Sequence, residues 1–162
     1  MAFQSSVRLY SGVGQEGQPA SNSPIIAAAG GSGAFFAGDN GLNMCRFAWR
    51  DATDPKKLNN TGTGKPVGFV YNNANATIDY LQSSSLLIPK GREASPIVGG
   101  DFWAKSATAA VVGQKVFAVL ADGTIKTGDA GATVDGAIET EWYVASAAAV
   151  GDLFVISTWS KA

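Results

Sequence analysis

Histidine is absent from this chain of 162 residues, and cysteine occurs once, at Cys45. Without histidine there is no Ser-His-Asp or Cys-His relay, no histidine zinc box, and no side chain whose ordinary pKa lies near neutrality. One cysteine can neither close a disulfide within the chain nor build a thiolate zinc site. Set between Met44 and Arg46 in an apolar run, it reads as a buried, inert thiol. Charge is scarce as well. Asp, Glu, Lys and Arg make up 15% of the chain, against roughly 25% in an ordinary soluble domain. The net charge is −1, the pI is near 5.3, and the basic residues are scattered. A nucleic-acid binder needs a basic stripe, so DNA is excluded as a partner. No apolar run reaches the roughly 18 residues of a membrane-crossing helix. The first residues lack a charged segment followed by an apolar core, so the expectation is no signal peptide and folding in a reducing cytoplasm.

Carboxylates are the remaining catalytic candidates. Glu139 and Glu141 stand two apart, which puts them on one face of a strand, yet a solvated face explains them better than a glycosidase dyad. Gly30-Gly31-Ser32-Gly33 lacks the Lys-Ser/Thr of a phosphate loop. The run from Asp129 lacks calcium ligands at alternate positions. The expectation is a non-enzyme with no catalytic residue, cofactor or metal.

What the chain does have is β-branched residues, glycine and aromatics. Val and Ile total 21 against 8 Leu, which favours strands. Residues 115–120 and 124–127 read as a hairpin, with Asp122-Gly123 supplying the positive φ of its turn. Residues 141–145 and 153–157 form a second strand pair, and further strands are expected at 84–88 and 101–104. Residues 75–82 are ambiguous between strand and helical turn. Residues 53–65, with Pro55, Asn59, Asn60 and two glycines, read as a polar surface loop.

Four short signatures stand in order: Cys45-Arg46-Phe47-Ala48-Trp49, Gly68-Phe69-Val70-Tyr71, Ile88-Pro89-Lys90-Gly91 and Gly100-Asp101-Phe102-Trp103-Ala104. Val112-Gly113-Gln114-Lys115-Val116, Ala121-Asp122-Gly123-Thr124-Ile125 and Glu141-Trp142-Tyr143 follow them. In order and spacing, from about residue 13 to the C-terminus, this set resembles the structural cement, or capsid decoration, proteins of tailed bacteriophages. The chain departs from that pattern at Cys45 and in the charged pair Arg50-Asp51. The resemblance implies a mainly β fold, a small β-barrel or β-sandwich, on the exterior of a virion capsid. It implies the major capsid protein as partner, together with further copies of this chain, a trimer being favoured over a dimer. The alternative, from a different class, is a carbohydrate-binding or host-attachment module of a virion tail or fibre, which exposed Trp and Tyr beside Asn and Asp would favour.

The division expected is an extended N-terminal arm, residues 1–44, and a β domain, residues 45–162. Only Arg8, Glu16 and Asp39 are charged in the arm. Its apolar residues are too sparse for an independent core and too many for a solvated tail. It therefore orders against another surface, either this chain's own β domain or a neighbouring subunit. Residues 24–36 are expected to lie as a strap across a neighbouring cement or capsid subunit, with Ile25, Ile26, Phe35 and Phe36 as its interface residues. Phe102 and Trp103 are added because adjacent strand residues face opposite ways, so one packs inside and the other meets a neighbour.

Overall fold

A computed structural model describes residues 14–28, 34–72 and 86–159. The expectations for residues 75–82 and 84–85, the Gly30–Gly33 run, and the first part of the arm lie outside these residues. The described chain is all strand, in two open sheets and a small ribbon. Of the two architectures the sequence leaves open, the sheets form a sandwich and do not close into a barrel.

The first sheet holds six short strands: β1 (Ile26–Ala27), β2 (Phe36–Ala37), β4 (Arg46–Arg50), β5 (Lys57–Asn59), β6 (Gly68–Val70) and β8 (Ile97–Gly99), in the spatial order β1-β8-β6-β4-β5-β2. The second holds β9 (Asp101–Lys105), β10 (Lys115–Val119), β11 (Ile125–Gly128), β12 (Ala137–Val144) and β13 (Leu153–Ser157), in the order β11-β10-β12-β13-β9. A ribbon of β3 (Leu42–Asn43) and β7 (Leu87–Ile88) completes the fold.

The expected hairpin is β10–β11, paired from Lys115 opposite Gly128 to Ala118 opposite Ile125. Gly123 in its turn has φ +72°, and a Cβ there would run into the carbonyl oxygen of Phe47. That close approach lets the Phe47 amide donate to Gly123 O at 2.8 Å, which docks the turn of one sheet on β4 of the other. The pairing of β12 with β10 shifts register between Lys115 and Phe117. At this bulge the Thr140 hydroxyl donates to Val116 O at 2.8 Å and replaces a missing ladder bond.

The sheets share one core. Phe47 and Phe69 from the first sheet meet Phe102 and Trp142 from the second, with ring centroids between 5.6 Å for Phe47–Phe69 and 6.5 Å for Phe47–Trp142. Tyr71 joins at 5.6 Å from Phe102. These rings are five of the aromatics in the sequence signatures. Offset and edge-on pairs of this kind add to the burial energy of the rings.

Two expectations change. Residues 53–65 are not all surface loop, because β5 lies within them and Leu58 is fully buried. A strand of three residues with one apolar member is too short for alternation to reveal it. The described part of residues 1–44 also contributes buried Phe35, Ala37, Leu42 and Met44 to the common core. Of the two surfaces the arm could order against, its described residues use this chain's own sheets.

Candidate functional site

The carboxylate pair is divided between separate lysines. Glu141 is exposed and pairs with Lys65 at 2.6 Å. Glu139 accepts from the Gly131 amide at 2.7 Å and lies 3.9 Å from Lys115 Nζ. Lys115 is buried, donates to Thr140 O at 3.2 Å, and sits 3.8 Å from the centroid of the Tyr143 ring. No group of three or more metal-ligating side chains occurs among the described residues. Burial, with the Glu16 carboxylate adding to it, pushes the Cys45 thiol up to about 12.

An open cleft of about 820 Å³ is lined by Asn59, Thr61, Thr63, Lys65, Val67 and Val98, among others. Trp49 borders it, but the indole is buried and its N–H donates to Gly64 O at 2.7 Å. Trp142 is also buried, which leaves Trp159 as the one exposed tryptophan among the described residues.

The expected interface residues separate into three groups. Phe35 and Phe102 are buried in this chain's own core, Phe35 beneath the Arg50 guanidinium at 4.8 Å. Phe36 and Trp103 are half-buried. Ile25 and Ile26 are exposed, at 44% and 45%. Trp103 does face a neighbouring element, namely residues 14–20 of the same chain. Gly17 N–H donates to Trp103 O at 2.7 Å, Trp103 N–H donates to Gln18 O at 2.9 Å, and Gly14 packs on the indole so closely that a Cβ would overlap it.

The segment then crosses from one sheet to the other. Ala20 N–H donates to Asp101 O at 2.8 Å. The Ser21 and Ser157 hydroxyls each donate to the Asp101 carboxylate at 2.5 Å. Burial raises the pKa of Asp101, but the hydroxyls of Ser157, Ser21 and Ser23 outweigh it and hold the carboxyl below its usual range. Past this latch the Trp159 indole N–H donates to Pro24 O at 3.2 Å, and Ile26 pairs with Gly99 in β8. Residues 15–27 thus tie β9, the edge of one sheet, to β8 in the other.

Two exposed apolar surfaces result. Ile25, Ile26 and Trp159 gather where β8 leads into β9 and where β13 ends. At the opposite end of the β9–β13 pair, residues 106–114 and 145–151 form an irregular ribbon, in which Ala110 and Ala148 exchange amide bonds of 2.9 and 3.0 Å. Val111, Val112 and Val150 are exposed there, and neither segment contains a charged residue. The sequence signal of this ribbon was its run of small uncharged residues, which forms no strand pattern.

A family model described as XM1 gp53 minor capsid protein matches residues 3–158. The chain belongs to that family. A chain from a structure described as "The capsid of Myoviridae Phage XM1" shares the fold, with a TM-score of 0.61 and 18% identity over 98% of each chain. No curated protein matches. Membership makes this a structural protein of a phage virion, associated with the capsid.

Proposed function

We propose that this minor capsid protein decorates the outside of the shell and cements neighbouring major capsid subunits without catalysis. The observation that carries the reading is the pair of exposed apolar surfaces, built from segments without charged residues, at opposite ends of β9 and β13. A five-residue strand is about 17 Å long, so the two surfaces are well enough separated to engage different neighbours. A bridging protein needs two contacts of this kind, whereas an isolated domain has no use for exposed apolar ends. Each contact adds about 25 cal/mol per Å² of apolar area buried, before association costs. Repetition around a shell multiplies the effect through avidity.

In this reading the end bearing Ile25, Ile26 and Trp159 faces the shell. The ribbon bearing Val111, Val112 and Val150 joins copies of the chain, as a trimer. Residues 14–25 serve as an arm, seated on β9 over Trp103, of a β domain to which β1, β2 and β3 also belong. The protein is made in the host cytoplasm and then added to the capsid exterior. The carbohydrate-binding alternative is weaker, because Trp49 and Trp142 are buried and the N–H of exposed Trp159 is engaged by Pro24. The test is to add the purified protein to capsids assembled without it and to measure occupancy by cryo-electron microscopy and survival on heating. Saturable decoration that raises the temperature of capsid rupture is expected. Absence of decoration sinks the proposal.

A further inference from the structure

The two main sheets have four outer edges, and this chain covers three of them. Residues 15–20 lie along β9, with amide bonds to Trp103 and Asp101 and a bridge from Pro19 to Phe102. Residues 106–109 cover β11, where Ala107 N–H donates to Ile125 O at 2.9 Å and Thr127 N–H donates to the Thr108 hydroxyl at 2.8 Å. Residues 91–94 cover β2, where Ala37 N–H donates to Arg92 O at 2.8 Å and Ala94 N–H donates to Phe35 O at 3.0 Å. The outer edge of β1 has no backbone partner among the described residues, and Ile25, Ile26 and Ala27 are all exposed on it.

An open edge invites another strand, and proteins discourage this with lysine or other charges. No charged residue occurs in 24–28, in 97–100 or at 158–159. Pro24 bounds the edge on one side, and exposed Trp159 is anchored to the Pro24 carbonyl, which extends the apolar surface beyond the strand. Self-pairing of two such edges would join only a few residues from each copy. That falls far short of the roughly 800 Å² per partner that a stable interface buries. Membership of a minor capsid protein family points instead to a segment of the shell, which would pair its backbone with β1 and add burial of its side chains on exposed Ile25 and Trp159 beyond the strand.

We infer that β1 is a strand-addition site for an extended, uncharged, apolar segment of a capsid-shell subunit. The inference rests on the capsid-decorating reading and specifies its point of contact. The test compares the wild-type protein with Ile26→Lys on capsids assembled without it. Residue 26 is exposed, so the variant should melt with the wild type, while its affinity for capsids should fall about tenfold or more, a change of roughly 1.4 kcal/mol. Amides of residues 25–28 in decorated capsids should exchange hydrogen more slowly than in the free protein, as newly paired backbone does. If the wild type decorates capsids while Ile26→Lys binds equally well and residues 25–28 gain no protection, the site is wrong and the decorating role stands. Loss of self-association by Ile26→Lys in the absence of capsids would make a second copy the occupant and overturn the inference. Failure of the wild type to decorate at all would remove the broader reading along with it.

Discussion

The five-stranded sheet and residues 14–28 and 34–72 reach order by different routes. Strands β10 to β13 run four to eight residues and are separated by glycine turns; β11 alternates strictly and β10 is buried along four residues running, so each is marked by its own sequence. In residues 14–28 and 34–72, β1, β2 and β3 have two residues each, and segments such as 15–20 are held by amide bonds to the edge of a neighbouring strand. The first region builds its own surface; the second supplies Phe47 and Phe69 to the shared core and lays its shorter segments along the edges already formed. Stability should therefore be concentrated in the aromatic contact between the sheets, and adaptability in the segments laid along their edges.

The largest expected effect tests that division within two adjacent residues. Phe102 is fully buried among Phe69, Tyr71 and Trp142, while Trp103 is half-buried beneath residues 14–18. Phe102→Ala should cost roughly 3–5 kcal/mol in urea unfolding, as large-to-small core changes do. Trp103→Ala should cost only about 1–2 kcal/mol, since it loses part of its burial and leaves the shared core intact. Equal costs would mean that the arm and the core are one cooperative unit, contrary to the comparison.

Gly123 gives the next largest effect, because it joins the regions. Its φ of +72° and its contact with Phe47 O both require the missing Cβ. Gly123→Ala should destabilise by about 1–3 kcal/mol through backbone strain and displacement of the turn from β4. The Phe47 amide, which donates to Gly123 O, should then exchange faster. A stable variant with unchanged exchange would show that the docked turn is dispensable.

The regular part of the fold was legible because strand alternation, an Asp-Gly turn and paired aromatics are local signals. Five of the signature aromatics proved to be the contact between the sheets: Phe47, Phe69, Tyr71, Phe102 and Trp142. Strand β5 escaped notice because only Leu58 marks it. The seat of residues 15–20 on β9 was hidden for a different reason. Its bonds are made by backbone groups, which every sequence supplies, and the side chains that fix it, Ser21, Asp101 and Ser157, are 80 and 56 residues apart along the chain. The two unpartnered ends were visible only as a shortage of charge. Where those charges were missing in space depended on the fold.

Asp101 permits a reversible test of that seat. Its carboxyl is held below the usual range in the folded chain, so the stabilisation is complete above the unfolded value of about 3.9 and is lost as pH falls through the lower folded value. Between neutrality and pH 5 the fluorescence of Trp103 and Trp159 should stay constant. Below about pH 4 the arm should loosen, with proteolytic cleavage appearing in residues 14–24 before the sheets unfold. Asp101→Asn should bring that cleavage to neutral pH. Simultaneous loss of arm and sheets in acid would contradict a separable seat.

The smallest effect is expected at the Lys65–Glu141 pair, the shortest ion pair among the described residues. Its 2.6 Å separation invites the view that it clamps loop 60–66 to β12. Both side chains are highly exposed, at 70% and 74%, so water and salt screen the attraction and ordering two long side chains offsets it. The pair also holds the Lys65 pKa above its usual value, first through the hydrogen bond with Glu141 and then through its charge. Glu141→Gln keeps the shape and removes the charge, and should leave the unfolding midpoint almost unchanged in 0.15 M salt. A double-mutant cycle with Lys65→Met should give a coupling close to zero, shrinking further as salt is raised. A coupling well above that, insensitive to salt, would place part of the inter-sheet adhesion on the surface and weaken the case that the buried rings supply it.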